Sequence, residues 1–271
     1  MPTVRISESP LSGRPGPTSV YYRNAGAGPP LLYLHGGWGY EVHSFDRQIP
    51  ALSTQQTVIS PDRTGYGRSG RISNLPPDFH AHAAAETSTL IDALNLDRPI
   101  LWGHSDGAVI AVMMALATPS KYRALILEAF HFYRVKPGSR EFFETMINNP
   151  EMLGDRVTGI LARDHGEDYW RRIIELNGRA WLRIADDSLS PNQDLYDGRL
   201  RDVSLPVLFI HGKNDPRTEP GELDAVSLAL PGASWALIEE GGHSPHSKRN
   251  VSEECGLAAA RFLAELPGAG L

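Results

Sequence analysis

The segment ILWGHSDGAV, residues 100–109, decides the fold. A short apolar run ends in Gly103-His104-Ser105-Asp106-Gly107, and small apolar residues follow, which predicts a strand, a sharp turn and a helix. A serine at such a turn projects its hydroxyl from the end of a strand, and the flanking glycines let strand and helix approach closely. The stretch therefore predicts a nucleophilic serine at a strand-to-helix junction.

Apolar runs and helical patterns alternate along the rest of the chain. Continuous apolar runs of this kind are typical of strands that are buried on both faces of a parallel sheet. Helical patterns lie between them at 78–95, 106–117 and 247–265. The alternation predicts an α/β fold with a mostly parallel central sheet and flanking helices. The predicted strands are 20–26, 30–36, 57–62, 99–105, 124–129, 206–212 and 234–241.

Residues 131–200 interrupt this alternation. They contain no convincing strand, but helical patterns at 138–148, 150–163 and 167–184 with several aromatic residues. We expect a helical cap over the carboxyl edge of the sheet, where open α/β sheets bind ligands. Further flanking helices of the main layer are the alternative. The predicted core is then 20–130 with 201–271, and residues 1–19 are predicted to form a flexible tail.

Composition excludes several classes of protein. The net charge is −6 and no Lys/Arg-rich run occurs, which argues against a nucleic-acid partner. The single cysteine, Cys255, cannot form an intrachain disulfide, and no apolar run approaches the roughly 20 residues of a membrane span. We expect a soluble, cytoplasmic protein without a membrane partner, and the sequence does not indicate its oligomeric state.

A serine hydroxyl needs a base, and the base needs an acid to orient it. In a fold with such a strand–serine–helix turn these follow in the order Ser, Asp/Glu, His, and Asp215 and His243 lie in loops after the last two predicted strands. Asp215 could instead be a simple turn residue, and His243 could cap the last helix. Glu128, at the end of the strand 124–129, is the rival acid, and His246 is the rival base.

The oxyanion of an acyl-transfer intermediate needs two preorganised donors. One is predicted to be the backbone N–H of Asp106 at the start of a helix. The other is expected from the HGGWG turn at 35–39, from Gly37 first and Trp38 second. Trp38, His131, Glu128 and the Asp106 side chain are predicted to line the substrate pocket.

The ordered motifs LYLHGG, SPDRTGYGRSG, WGHSDG, FIHGKND and GGHSPH resemble those of the α/β-hydrolase superfamily. Within it, PDRTGYGRS, LPPDF, GHSDGAV and HGKNDP most resemble the valacyclovir hydrolase-like serine esterases, over roughly residues 20–265. The resemblance implies ester hydrolysis through an acyl-enzyme under a helical cap. It also implies that Asp106 binds the α-amino group of a substrate, whereas helix electrostatics alone would also explain a carboxylate in the first turn.

The predicted function is hydrolysis of small-molecule carboxylic esters, with α-amino esters as one option. The same triad would serve a carbon–carbon bond hydrolase, an amidase, a lactonase or a perhydrolase, and a ligand receptor without turnover is a further alternative. No cofactor motif such as a P-loop occurs. The HAH stretch at 80–82 places its two histidines on different faces of a helix, so no metal site is expected.

Overall fold

A central eight-stranded sheet organises the molecule, whose computed structural model describes residues 2–267. The strand order is β1-β2-β4-β3-β5-β6-β7-β8. β2 pairs antiparallel with β1 and β4, and the pairs from β4 through β8 are parallel. The mostly parallel sheet of the prediction is therefore confirmed. The strands are β1 Thr3–Ile6, β2 Thr18–Ala25, β3 Pro30–Leu34, β4 Thr57–Pro61, β5 Ile100–His104, β6 Leu125–Glu128, β7 Val207–Gly212 and β8 Ser234–Ile238.

The central strands separate two apolar cores because successive side chains of a strand point to opposite faces. Leu101 packs into one core with helices on that side, whereas its neighbour Trp102 packs into the other. β5, β6 and β7 are buried along their whole length, as their continuous apolar sequences predict. The helices are α1 Ile49–Leu52, α2 Phe79–Ala93, α3 Asp106–Ala117, α4 Arg140–Asn148, α5 Asp155–His165, α6 Trp170–Asp186, α7 Glu222–Ala229 and α8 Ser252–Glu265.

Parallel pairing brings the carboxyl ends of the central strands to one edge. Leu34 of β3 pairs with Gly103 of β5, and His104 pairs with Glu128 of β6. The loops that follow β3, β5, β6, β7 and β8 therefore emerge side by side. This edge is where a parallel α/β sheet forms its ligand site.

Residues 2–19 are ordered, and the prediction of a flexible tail is wrong for them. β1 pairs with β2 from Thr3↔Tyr21 to Ile6↔Thr18, and Ile6 is buried. The side chain of Ser9 donates a hydrogen bond to Glu86 of α2. A four-residue strand with one buried side chain is too short for its pattern to stand out in a Pro/Gly-rich sequence.

Helices α4, α5 and α6 form the segment between β6 and β7, which we call the helical insertion (131–200). α4 and α6 pack on each other. His165 at the end of α5 joins the insertion to two core loops. It accepts a hydrogen bond from the Gly67 N–H at 2.8 Å and lies 3.1 Å from the Trp38 carbonyl. Among residues 2–267, no helix is both long enough and apolar enough to cross a lipid bilayer.

The packing of α5 predicts a pH-dependent stability. Burial, reinforced by the charge of Asp62, raises the pKa of Asp164 in α5 to about 7. The folded protein therefore holds a proton that the unfolded chain loses near its ordinary pKa, so stability falls as pH rises from about 4 through 7. We expect Asp164→Asn to unfold at higher urea concentration than the parent at pH 8, by on the order of 1–3 kcal/mol, and to match it at pH 4.

The exposed Asp187→Asn, at the end of α6, is the matched control and should behave alike at both pH values. A gain from Asp164→Asn that is equally large at pH 4 would show that the gain does not come from removing an ionisable group.

Candidate active site

Ser105 occupies a strained turn between β5 and α3. Its backbone has φ 54° and ψ −119°, a conformation that a residue with a side chain adopts only when its surroundings enforce it. A Cβ on Gly103 would lie 2.2 Å from the Gly107 carbonyl, and one on Gly107 would lie 2.0 Å from the Leu34 carbonyl. Both positions therefore require glycine, which allows α3 to begin directly against the ends of β3 and β5.

The structure brings Ser105, His243 and Asp215 together. The Oγ of Ser105 lies 3.0 Å from the Nε2 of His243. The Nδ1 of His243 lies 3.0 Å from both carboxylate oxygens of Asp215. Burial opposes ionisation of Asp215, but the charge of His243 and its hydrogen bond outweigh burial and hold the pKa of Asp215 below its ordinary value. A permanently ionised Asp215 fixes the Nδ1–H tautomer of His243 and leaves Nε2 free to accept a proton from serine.

His131, which the sequence placed only at the pocket wall, also contacts the serine. Its Nε2 lies 3.2 Å from the Ser105 Oγ, and its ring lies face to face with that of His243 at 5.7 Å between centroids. Burial lowers the pKa of His131 well below its ordinary value, so the ring is neutral near pH 7. A hydroxyl can donate one hydrogen bond and accept two. Ser105 can therefore donate to His243 while it accepts from His131.

Glu128 and His246 form a second acid–histidine pair, which does not reach Ser105. The Nδ1 of His246 lies 2.7 Å from Glu128, and its Nε2 lies 2.9 Å from the His43 carbonyl. Burial lowers the pKa of His246, but the Glu128 charge outweighs it and the net shift is upward. Against burial, His246 lowers the pKa of Glu128 to about 2.

These contacts correct one prediction about the pocket. Glu128 is fully buried beneath the site, where it also accepts a hydrogen bond from Trp102 at 3.1 Å, and it does not line the cavity. His104, Glu128 and His246 each bring one potential metal ligand within 4.8 Å of the others. Both ring nitrogens of His246 are already engaged, Nδ1 by Glu128 and Nε2 by the His43 carbonyl and the Tyr33 hydroxyl, so this trio is better explained as a structural network.

His104 precedes the serine and has a role that the sequence did not suggest. Its Nε2 lies 3.0 Å from the His243 carbonyl and 2.9 Å from the Ser244 hydroxyl. Burial lowers the pKa of His104 to about 3, so the ring is neutral and donates through Nε2. β5 therefore holds the backbone of the His243 loop as well as Ser105. Only its position beside the serine could have drawn attention to it.

Arg63 orients the turn after β3, where Gly37 and Trp38 lie. Its guanidinium donates hydrogen bonds to the carbonyls of His35 and Gly36. In a trans peptide the N–H points away from the preceding C=O. Because the Gly36 carbonyl faces Arg63, the Gly37 N–H faces the opposite side, and Gly36, Gly37 and Trp38 all line the cavity. Arg63 belongs to the PDRTGYGRS motif, which carried no functional prediction.

The Asp106 side chain faces the pocket and meets the helical insertion. Its carboxylate is buried and lies 3.2 Å from His80 Nε2, 2.9 Å from Trp181 Nε1 and 2.9 Å from Asn177 Nδ2. Burial opposes ionisation, but hydrogen bonding and charge from His80 outweigh it and lower the pKa of Asp106. An ionised carboxylate thus joins α3 to α6 beside Ser105. Helix electrostatics alone therefore does not explain the Asp106 carboxylate, because its hydrogen bonds come from His80, Asn177 and Trp181.

These groups surround a cavity of about 400 Å³ at the carboxyl edge of the sheet. Trp38 forms one wall, stacked on His43 at 5.6 Å and in contact with Phe142 of α4 at 5.6 Å. Phe143 and Trp181, from α4 and α6, stack at 5.5 Å. The volume suits a small organic molecule. The remaining lining residues are His104, Ser105, Asp106, His131, Asn177, Asn214, Pro216, Arg217, Gly242, His243, Ser244 and Lys248, with Gly36 and Gly37.

This chain is similar in sequence to known hydrolases and in structure to a known esterase. The serine hydrolase BPHL of Homo sapiens is 27% identical over 252 residues, which cover 90% of this chain and 82% of that protein. The pimeloyl-[acyl-carrier protein] methyl ester esterase of Nitrosomonas europaea is 26% identical and covers 84% of this chain and 93% of its own length. A thermophilic esterase from Thermogutta terrifontis shares the fold, with a TM-score of 0.74 at 20% identity over 98% of this chain and 99% of that one.

A family model described as the alpha/beta hydrolase fold matches residues 29–176, which is more than half of the chain. The chain therefore belongs to the α/β-hydrolase family and is a hydrolase.

Proposed function

We propose that this protein cleaves carboxylic esters through an acyl-enzyme, with Ser105 as nucleophile, His243 as base and Asp215 as the acid that orients it. The observation that supports this most directly is the linear contact from Ser105 Oγ to His243 Nε2 to Asp215, with both steps at 3.0 Å. The strained serine turn is a second, independent support, since such conformations persist where function requires them. The names of BPHL and the methyl ester esterase fit this chemistry.

Acylation begins when the Ser105 oxygen attacks the ester carbonyl and His243 takes its proton. The carbonyl oxygen becomes an oxyanion, which the Gly37 and Asp106 N–H groups stabilise. The second group is a free donor because the first N–H groups of a helix have no intrahelical partner. His243 then returns the proton to the leaving alcohol as the C–O bond breaks. In deacylation, water gives its proton to His243 and attacks the acyl carbon, and Ser105 leaves with that proton.

The acyl group lies against Asp106, Asn177 and Trp181. Three side chains hydrogen-bond the Asp106 carboxylate, which can accept about four hydrogen bonds in all. A substrate ammonium can use the remaining lone pair on Oδ2, where an ion pair would be much stronger than at the surface. We therefore include α-amino esters in the proposed substrate class.

The first test is Ser105→Ala. We expect its kcat/KM for 4-nitrophenyl acetate to fall by about 10³ or more, because the nucleophile is lost while the pocket remains. Intact-mass analysis after treatment with a fluorophosphonate should show one adduct on the parent and none on the variant. The exposed Ser7→Ala is the matched control and should be labelled. Full turnover by Ser105→Ala would contradict the mechanism.

The two buried acids can be separated by Asp215→Asn and Glu128→Gln. Asp215→Asn should lower kcat by about 10⁴, because the amide no longer selects the required His243 tautomer. Glu128→Gln should instead lower the free energy of unfolding by about 3 kcal/mol, because it breaks the buried pair with His246. The kcat for ester hydrolysis and the free energy of unfolding in urea should be measured for both variants. If Glu128→Gln abolished turnover without loss of stability, Glu128 would be the catalytic acid.

The role of Asp106 is tested by a matched pair of esters, 4-nitrophenyl valinate and 4-nitrophenyl isovalerate, which differ by the amine. Asp106→Asn keeps the backbone N–H and can still bond His80 and Trp181. We expect the ratio of kcat/KM, valinate over isovalerate, to fall about tenfold. Asp187→Asn should leave the ratio unchanged. An equal loss for both esters would limit Asp106 to joining α3 with α6.

A further inference from the structure

Within residues 2–267, two cations at the edge of the cavity make no salt bridge. Arg217 and Lys248 line the cavity, and neither side chain makes a salt bridge or a hydrogen bond with any group of residues 2–267. Several arginines elsewhere in the chain do make salt bridges: Arg71 lies 2.7 Å from Asp168, and Arg134 lies 2.7 Å from Asp197. The unpaired cations lie in a protein of net charge −6, in which carboxylates outnumber cations.

The backbone of Arg217 is held from both sides. Its N–H donates to the Asp215 carboxylate at 2.8 Å, and its carbonyl accepts from Lys136 Nζ at 3.0 Å. Lys136 is itself buried in a salt bridge with Glu222. The guanidinium therefore extends from a fixed position two residues after the proposed catalytic acid.

The guanidinium of Arg217 is held in place by stacking, while its N–H groups have no hydrogen-bond partner among residues 2–267. Its Cζ lies 3.5 Å from the ring centroid of Phe142, so one face is covered by the insertion. Stacking covers the face and leaves the in-plane N–H donors available for a planar acceptor. Burial lowers the pKa of Arg217, against the opposing charges of Asp215 and Glu219. Those carboxylates are engaged elsewhere, Asp215 with His243 and Glu219 with the Gly138 N–H.

Lys248 lies beside the proposed base. A Cβ on Gly242 would lie 2.6 Å from the Lys248 Nζ, so the ammonium lies across the backbone next to His243. The side chain is exposed, and its contribution to binding is therefore screened by water. Lys248 adds positive charge to the same end of the cavity from which His243 works.

Arg217 and Lys248 lie on the same side of the cavity as His243, and this position determines which part of a substrate they meet. His243 returns its proton to the leaving alcohol, and the loops that hold His243 and Asp215 also hold Lys248 and Arg217. The Asp106 carboxylate belongs to α3 and meets α6 instead. The pocket thus has an anionic acyl wall and a cationic leaving-group wall.

We propose that the leaving alcohol of the substrate carries a carboxylate, which Arg217 binds directly and Lys248 attracts. This rests on the proposed ester hydrolysis. In the reaction the Ser105 oxygen forms a bond to the acyl carbon and the ester C–O bond breaks. The serine proton passes through His243 to the alcohol oxygen, and the carboxylate stays ionised throughout.

The test compares 4-acetoxybenzoate with its methyl ester, which differ by the charge on the leaving group. The measured quantity is the ratio of kcat/KM, acid over methyl ester, so that each variant is compared with the parent on the same two compounds. We expect Arg217→Gln to lower this ratio about tenfold and Arg217→Lys to restore part of it. Lys248→Met should lower it by about two- to threefold. Arg5→Gln, an exposed charge on β1, is the control and should leave the ratio unchanged.

A second measurement does not depend on turnover. Calorimetry on Ser105→Ala should detect tighter binding of 4-hydroxybenzoate than of its methyl ester, and Ser105→Ala with Arg217→Gln should lose that difference. If the ratio and the binding difference are unchanged in the Arg217→Gln proteins, the carboxylate subsite is refuted, even when Ser105-dependent cleavage of the methyl ester supports the proposed function. If neither ester is cleaved, ester hydrolysis fails for these substrates and calorimetry alone decides the subsite.

Discussion

The close approach of α3 to the ends of β3 and β5 determines where Ser105, Asp106 and the turn after β3 lie in the candidate site. Two glycines allow it: a Cβ at Gly107 would meet the Leu34 carbonyl at 2.0 Å, and one at Gly103 would meet the Gly107 carbonyl at 2.2 Å. Because neither glycine carries a side chain, the chain can turn sharply between them. Ser105 has φ 54° in this turn, and its hydroxyl lies at the sheet edge. The turn after β3 then lies against the start of α3, where Gly36 leaves only 3.1 Å between a notional Cβ and that of Ser105.

The same approach explains why an aspartate can follow the proposed nucleophile. The Asp106 carboxylate is held by hydrogen bonds from His80, Asn177 and Trp181. Its backbone N–H remains at the helix start, where the dipole favours a developing negative charge. Asp106 thus contributes its side chain to the pocket wall and its backbone N–H to the proposed oxyanion site. The cost is a buried charge, which three donors and the nearby Arg63 offset.

Strong local signals made most of the fold predictable from the sequence. Continuous apolar runs identify β5, β6 and β7. The Gly-His-Ser-Asp-Gly turn between β5 and α3 is predictable because its glycines allow strand and helix to approach closely. β1 was missed because a four-residue edge strand with one buried side chain has almost no periodicity. Ser105, Asp215 and His243 could be proposed because each follows a strand, and parallel strands end at one edge. His104, Arg63 and Arg217 could not, because their roles depend on contacts between distant loops.

Glu128 and His246 show why residue types alone do not identify a catalytic pair. Both carboxylate–imidazole pairs lie at the same sheet edge, and each has a carboxylate bonded to Nδ1. They differ in what faces Nε2. For His243 it is the Ser105 hydroxyl, whereas the Nε2 of His246 lies 2.9 Å from the His43 carbonyl and 3.1 Å from the buried Tyr33 hydroxyl. Ser105 and His243 line the cavity, whereas Tyr33 and His246 do not. A substrate in the cavity can therefore meet the hydroxyl that faces His243 but not the one that faces His246, so the location of the partner hydroxyl, rather than the pairing of a carboxylate with an imidazole, separates the proposed catalytic pair from the pair in the core.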